Sequence, residues 1–449
     1  MIYFIVLYII LGLISTYLVT KKPSRYLTIF LISIIIGSGP MVMGYPVVDE
    51  YMVLMLFLGI ILRANIVTNN GAIKVTKENH LNFHNLVFYV LIWYLLFQSF
   101  RGMIWLEDLR MIRWIIFFVI VGYGSFLISN YRYPIDRRQV VKVIFYSSSI
   151  YFFIYLIVGF LFEIFFDGDR YDLQGFIWTG TSGAHFPIPL YLISVLVFFN
   201  EFKNKKAVRH IFLSLAVVST CSVYYSSRAA LFFILVAIIY YSLILFRERF
   251  ALFLKLLLFG FIIVMLDSST NQIIKNYLPF DFDTKNITIP DAINLDTRDY
   301  GRVLHNVAAY EAINDSVATL FLGHGWYMAR YEMKKSIIKV RSREGLDISH
   351  ISSDTSYQPS GAAAMLVDTG IIGVLLYLYS MLLSAVKIYK SNCRNKFFIS
   401  TIYLSIILWF FIGNITPILL TFFLVMPNNP IYMMLNTNQA KNMQFLNSK

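Results

Sequence analysis

Long apolar runs recur along almost the whole chain, and they constrain the fold more than any other feature of the sequence. A helix that crosses a bilayer needs about 20 mostly apolar residues. Runs of this kind centre near residues 11, 33, 55, 92, 121, 152, 192, 216, 237, 258, 376 and 405, with a further one near 425. The pattern predicts an all-α fold, a polytopic transmembrane helical bundle of about 12–13 spans.

The composition agrees with a chain that lies in lipid. Hydrophobic residues make up 58% of the sequence and charged residues 14%, whereas about a quarter of a soluble domain is charged. The two cysteines, Cys221 in an apolar run and Cys393 in a basic linker, provide neither a disulfide framework nor a Cys-based metal site. Asp281 and Asp283 resemble a metal-binding DxD triplet, but such triplets arise by chance in acidic loops. No metal and no cofactor are therefore predicted.

The positive charge is distributed as a topology signal. The net charge of +13 comes from short Lys and Arg clusters between apolar runs, and every second linker carries such a cluster. This distribution argues against nucleic-acid binding, and by the positive-inside rule it places the basic linkers in the cytoplasm and the N-terminus outside. The predicted organisation is ten transmembrane helices in residues 1–267, one large external loop in residues 268–361, and C-terminal transmembrane helices with a short tail in residues 362–449.

Arginines are concentrated on the predicted external side. A guanidinium can hold two phosphate oxygens at once, which makes it a natural clamp for a phosphorylated ligand. Arg228 lies between two apolar runs without an acidic neighbour in sequence, and Arg298 and Arg302 are spaced to share one helix face. Pairing with carboxylates or lipid headgroups is the alternative for each of them. The candidate substrate-binding arginines are Arg101, Arg110, Arg113, Arg170, Arg228, Arg298 and Arg330, with Arg302 as a candidate catalytic residue.

Two histidines in the large loop are candidate general bases. His305 lies in the helix-like stretch GRVLHNVAAYEAIN, and His324 lies between two glycines in LGHGWY, where a backbone can approach a ligand closely. Imidazole can take a proton from a sugar hydroxyl near neutral pH. A hydrogen-bonding role without catalysis is the alternative for both residues.

Several separated segments together resemble the bacterial O-antigen polymerase and O-antigen ligase superfamily. The segments are LEDLRMIRW, YSSRAALFF, RVLHNVAAYEA with LGHGWY, and GAAAMLVDTGIIGVLLYL. Their order, their spacing and the single large loop before the last helices also match. The resemblance implies an enzyme of the bacterial inner membrane with a periplasmic loop, which transfers a glycan from undecaprenyl pyrophosphate onto an acceptor sugar hydroxyl.

The resemblance also implies a substrate, partners and roles for the candidate residues. The substrate is an undecaprenyl-pyrophosphate-linked oligosaccharide bound among membrane lipids, and a chain-length regulator protein is an expected partner. Arg228, Arg298 and Arg302 would hold the pyrophosphate, and His305 or His324 would be the base. Tyr300, Trp326 and Tyr327 offer stacking surfaces for sugar rings, with core packing of the loop as the alternative.

One departure from the ligase pattern favours a polymerase. Ligases place an HN pair about eleven residues before the glycine that begins the re-entering helix, and here Gln358 and Pro359 occupy that place. A polymerase uses another lipid-linked repeat unit as acceptor, whereas a ligase uses lipid A core. Besides the ligase, a flippase for lipid-linked oligosaccharides and a sensory or scaffold membrane protein stay open as alternatives.

Overall fold

The computed structural model describes residues 2–22, 47–69, 83–106, 112–130, 137–166, 213–220, 307–343 and 361–390, together with a few single positions. Within these residues eight helices have defined bounds, and the remaining regular structure is also helical. The helices are α1 (Ile2–Lys21), α2 (Val47–Asn69), α3 (Phe83–Leu106), α4 (Ile112–Asn130), α5 (Arg137–Phe166), α6 (Val317–Leu322), α7 (Ala329–Arg343) and α8 (Gly361–Lys390). The predicted all-helical class is confirmed for this part of the chain.

Two of the described helices are long and apolar enough to cross a membrane. They are the segment Asn85–Trp105 of α3 and the whole of α8. The large side chains on the outer face of α3 are exposed, including Trp93 and Ile104, which are 70% and 71% accessible. Exposed apolar side chains along a spanning helix are expected where the neighbour is lipid rather than water.

Helices α1, α2 and α4 pack through small and hydroxyl-bearing residues. The Thr16 hydroxyl donates to the carbonyl of Met55 on α2 at 2.8 Å, and the Thr20 hydroxyl donates to the carbonyl of Gly59 at 3.3 Å. A Cβ at Gly59 would lie 2.8 Å from the Thr16 carbonyl oxygen, so α1 and α2 approach each other closely there. Small residues and interhelical hydroxyls are the usual means by which helices associate in lipid.

Part of the large loop folds directly onto α8. Residues 307–313 are helical, as the helix-like stretch 301–314 predicts for this portion. A turn follows, and Ser316 then caps α6 by accepting the amide of Thr319, whose hydroxyl accepts the Ser316 amide in return. The helix of residues 307–313, α7 and α8 share a buried core of small and aliphatic side chains: Ala308, Ala309, Ala312, Ile313, Ala329, Met333, Ile337, Ala363, Ala364 and Val367. Alanine allows the backbones of these helices to lie close together.

The two ends of α8 are expected on opposite sides of the membrane. In a variant carrying Cys221→Ser and Cys393→Ser, a single cysteine at Asn314 is expected to react with a membrane-impermeant maleimide added to intact cells, after the outer membrane is permeabilised. A single cysteine at Lys390 is expected to react only after the inner membrane is disrupted. Both positions are exposed on the protein, so the membrane alone distinguishes them. Equal labelling of the two cysteines in intact cells would contradict a membrane-spanning α8.

Candidate functional site

Helix α8 is broken nine residues after its start, at Gly370, where φ is 66° and ψ is −172°. The break takes three successive carbonyl groups out of the regular helical ladder, and each one accepts a hydrogen bond from a distant part of the chain. The His324 amide donates to the Val367 carbonyl at 2.8 Å, and the Gly325 amide donates to the Asp368 carbonyl at 2.9 Å. The Tyr94 hydroxyl donates to the Thr369 carbonyl at 2.6 Å. The segment around His324 and helix α8 are therefore joined by backbone hydrogen bonding.

The LGHGWY segment is the part of the loop that makes these contacts. It begins as α6 ends, where the Gly323 amide donates to the Thr319 carbonyl at 2.8 Å. After Gly325 the segment reaches α3, where the Trp326 amide donates to the Gln98 carbonyl at 2.8 Å. Irregular backbone at the depth of a membrane helix is tolerated where neighbouring protein satisfies its polar groups. The segment meets that condition between α3 and α8.

The two glycines that flank His324 are required by neighbouring backbone. Gly323 and Gly325 have φ of 67° and 118°. A Cβ at Gly323 would lie 2.5 Å from the amide nitrogen of Gly370, and a Cβ at Gly325 would lie 2.6 Å from that of Gly102 on α3. The sequence suggests that these glycines let a ligand approach the backbone, but in the structure other helices occupy that space.

Arg101 is placed differently from the sequence expectation of a linker residue. Helix α3 continues to Leu106, so Arg101 lies on the helix. Its guanidinium donates to the carbonyls of Leu322 and Gly323 at 2.8 and 3.0 Å and to the Gln98 side-chain oxygen at 2.9 Å. Two of the five N–H groups of the guanidinium thus hold the LGHGWY segment against α3, and a third is bonded within α3.

His324 is held by one ring nitrogen. Its Nε2 lies 2.8 Å from the carbonyl oxygen of Ala312. Because a carbonyl oxygen can only accept, Nε2 carries the hydrogen, and in the neutral ring Nδ1 then carries the lone pair. The ring is partly buried, and none of the described contacts uses Nδ1. This is the arrangement that a histidine general base requires, with one nitrogen oriented and the other able to accept a proton.

Arg113, an exposed residue at the start of α4, lies over the ring of the partly buried Tyr327. The Arg113 guanidinium lies 5.5 Å from the centroid of the Tyr327 ring and 5.5 Å from that of the Trp114 ring. Tyr327 has φ of 72°, an unusual backbone conformation for a residue with a side chain, which costs about 1–3 kcal/mol. The Arg113 side chain is exposed, and among the described residues its partners are these two rings.

Trp326 packs into the protein interior, in agreement with the core-packing alternative. Its side chain is 9% exposed and meets the rings of Trp114 and Phe118 edge to face, with centroids 5.6 and 5.2 Å apart. Such pairs stabilise a core beyond the area that they bury. Trp326 therefore anchors the segment to α4, and its role in sugar stacking stays a prediction.

Asp368 belongs to the same contact region, although the sequence interpretation does not include it. Its carboxylate is 8% exposed and accepts the amide of Ala329 at 2.6 Å, and it interacts with the amides of Tyr327 and Met328 as well. Ala329 is the first residue of α7, where backbone N–H groups have no partner inside the helix, and Tyr327 and Met328 immediately precede it. An acidic residue inside an apolar run is the signal that could have identified it from sequence.

The structure brings together five of the residues that the sequence predicts for the site, through their side chains or their main chain. Arg101, Arg113, His324, Trp326 and Tyr327 lie in one contact region between α3, α4 and α8. Arg330 is in α7, and its side chain lies outside the described residues. The remaining candidates also lie outside them: Arg110, Arg170, Arg228, Arg298, Tyr300, Arg302 and His305.

Comparisons with protein-family models, curated proteins and solved structures found no match for this chain. Within the described ranges, no group of three or more His, Cys, Asp or Glu side chains is arranged to hold a metal ion. The functional assignment therefore depends on the sequence pattern and on the geometry of the loop and helices.

Gly370→Ala is expected to destabilise the protein strongly. A Cβ there would overlap the Phe321 carbonyl group, and the positive φ alone costs an L-residue about 1–3 kcal/mol. Gly361→Ala is the matched control in the same helix, because Gly361 does not have a left-handed φ and the nearest atom to its Cβ would be a Phe410 side-chain carbon at 3.0 Å. The midpoint of thermal unfolding, followed by tryptophan fluorescence in detergent, should fall clearly for Gly370→Ala and little for Gly361→Ala. Equal midpoints would contradict the backbone contact at Gly370.

Proposed function

We propose that this chain is a polysaccharide polymerase of the bacterial inner membrane. It transfers a glycan from undecaprenyl pyrophosphate onto the acceptor sugar of another lipid-linked repeat unit at the periplasmic face. It has about 12–13 membrane spans, as the apolar runs indicate, and the loop of residues 268–361 forms a periplasmic platform over the lipid site.

The observation that carries the proposal is the direct hydrogen bonding of the LGHGWY segment to two helices long enough to cross a membrane. His324 and Gly325 are bonded to α8, and Trp326 is bonded to α3. Three of the segments that carry the resemblance meet in one region, because LGHGWY contacts Trp114 and Arg113 of LEDLRMIRW and is hydrogen-bonded to GAAAMLVDTGIIGVLLYL. A reaction on a lipid-linked substrate needs its loop residues held at the membrane helices in this way.

The reaction requires a base and a cation. The oxygen of the acceptor hydroxyl attacks the anomeric carbon of the donor sugar, and the bond from that carbon to the pyrophosphate oxygen breaks with its electron pair leaving on the pyrophosphate. The hydroxyl proton goes to Nδ1 of His324, and the imidazolium returns it to solvent. Cations beside the leaving group stabilise the charge that develops there.

Arg113 is the described arginine best placed for the pyrophosphate. Arg101 directs three of its N–H groups at loop and helix oxygens, whereas Arg113 is exposed and lies on aromatic rings. Contact with ring faces leaves the N–H edge of a guanidinium available for a bidentate phosphate contact. We assign the substrate contact to Arg113, and to Arg101 the docking of the loop. Arg228, Arg298 and Arg302 stay predicted pyrophosphate ligands.

His324→Gln is expected to abolish polymerisation while the protein folds. Glutamine keeps an N–H donor for the Ala312 carbonyl, but it does not accept a proton near neutral pH. The rate of glycan elongation should fall by about 100-fold or more, the usual contribution of a general base. The measurement is the length of surface polysaccharide on a gel, in a strain that lacks the chromosomal copy.

The control for His324→Gln is His210→Gln, because His210 is an exposed histidine in a predicted cytoplasmic linker. It should give long chains at the wild-type level. Long chains in the His324→Gln strain, with the variant protein present in normal amount, would remove His324 from the reaction and leave His305 as the predicted base.

Arg113→Ala is expected to shorten the polysaccharide without loss of protein. Removal of a charge-assisted phosphate contact should lower the rate of elongation by about 10- to 100-fold. The rate of Arg113→Lys should lie between those of the wild type and Arg113→Ala. Lys335→Ala is the control, because Lys335 is an exposed cation paired with Glu332 at 2.7 Å and such surface pairs contribute little.

Arg101→Ala distinguishes docking of the loop from substrate contact. Because its guanidinium bonds to two loop carbonyls, this variant should show a lower unfolding midpoint, whereas Arg113→Ala should keep the wild-type midpoint. Full elongation by Arg113→Ala would contradict the assignment of Arg113 to the pyrophosphate.

A further inference from the structure

We propose that Asp368 is a positioning residue whose carboxylate sets the orientation of the His324 ring by capping the turn that follows it. The proposal rests on the proposed function in one respect, since it concerns the same histidine. It adds a residue from a membrane-spanning helix to the site in the periplasmic loop.

Asp368 is unusual for its place in the sequence. It lies within α8, in which the other charged residues are Lys387 and Lys390 at the far end. A carboxylate among apolar residues of a membrane helix is costly to maintain and is retained where it has a specific partner. Its partner here is the start of α7, whose backbone N–H groups it accepts.

The carboxylate and the main chain of α8 hold opposite ends of one short turn. At the beginning of the turn, the amides of His324 and Gly325 are bonded to the carbonyls of Val367 and Asp368. At its end, the amide of Ala329 is bonded to the Asp368 carboxylate at 2.6 Å. The backbone between these two points is therefore fixed by consecutive residues of α8.

The turn needs this restraint because of its backbone conformation. Gly325 and Tyr327 both have positive φ, and for Tyr327 that conformation is strained. The interaction of the carboxyl group with the Tyr327 and Met328 amides compensates for this strain. Without it, the buried Ala329 amide loses its acceptor, and within the turn, among the described bonds, only that of the Met328 amide to the Gly325 carbonyl at 3.2 Å remains.

Relaxation of the turn would change the position of the His324 imidazole directly. His324 immediately precedes the turn, and its Nε2 is bonded to the Ala312 carbonyl across the loop. A shift of the backbone at residues 325–328 pulls the ring from that carbonyl, so both ring nitrogens become accessible. Asp368 thus acts on the reaction through His324, without contact with the substrate.

The test is the rate at which diethyl pyrocarbonate modifies His324 in the purified full-length protein, measured by mass spectrometry of the peptide that contains it. In Asp368→Ala the rate should rise by about tenfold, the factor that corresponds to loss of one hydrogen bond to a charged group. Asp368→Asn keeps an oxygen acceptor without the charge, so its rate should lie between those of the wild type and Asp368→Ala.

Two controls separate positioning from general loosening of the structure. The rate at His210, in the same sample, should not change. Thr369→Val removes the hydroxyl of a fully buried neighbour that bonds to Met365 in its own helix, and it should leave the His324 rate unchanged.

A wild-type rate at His324 in both Asp368 variants would overturn the proposal, as would an equal rise at His210. If Asp368→Ala does not fold, Asp368→Asn alone decides between these outcomes. The modification rate does not depend on glycan transfer. If the wild-type protein elongates no glycan, the polymerase is refuted, and a selective rise at His324 in the Asp368 variants would still support the positioning role.

Discussion

The break in α8 at Gly370 is the constraint on which the rest of the site depends. A carbonyl left without a donor inside a membrane protein costs several kcal/mol, and the break exposes three in succession at Val367, Asp368 and Thr369. The loop satisfies two of them and α3 the third. Helix α8 therefore requires the LGHGWY segment to be docked, and the segment acquires a fixed place relative to the helices.

The same docking determines which side chains surround the LGHGWY segment. Docking brings the backbone of LGHGWY against α3, where Arg101 bonds to its carbonyls, and against α4, where Trp326 packs beside Trp114. His324 is held by Ala312, and the Arg113 guanidinium lies exposed beside Tyr327. Under the proposed function, His324 would be the base and Arg113 the cation that glycan transfer from a polyprenyl pyrophosphate requires.

The part of the structure that depends on local pattern could be predicted from the sequence. The apolar runs near residues 92 and 376 correspond to α3 and α8, and residues 307–313 are helical within the predicted stretch. The roles of Arg101, Gly323 and Gly325 could not be predicted, because their partners are far away in the chain and periodicity carries no information on such contacts. Asp368 is an intermediate case, because a lone acid in an apolar run signals a partner without identifying it. Some predicted substrate residues, such as Arg228 and Arg302, lie outside the described ranges. Their place in the site stays a prediction.

The most direct test of the polymerase is reconstitution of the purified chain in liposomes with a synthetic undecaprenyl-pyrophosphate-linked repeat unit and no other protein. The measured quantities are the length of the lipid-linked glycan and the undecaprenyl pyrophosphate released. A polymerase lengthens the glycan and releases one undecaprenyl pyrophosphate for each linkage formed. Unchanged glycan length with movement of the labelled lipid between leaflets would contradict glycan transfer and identify a transporter instead.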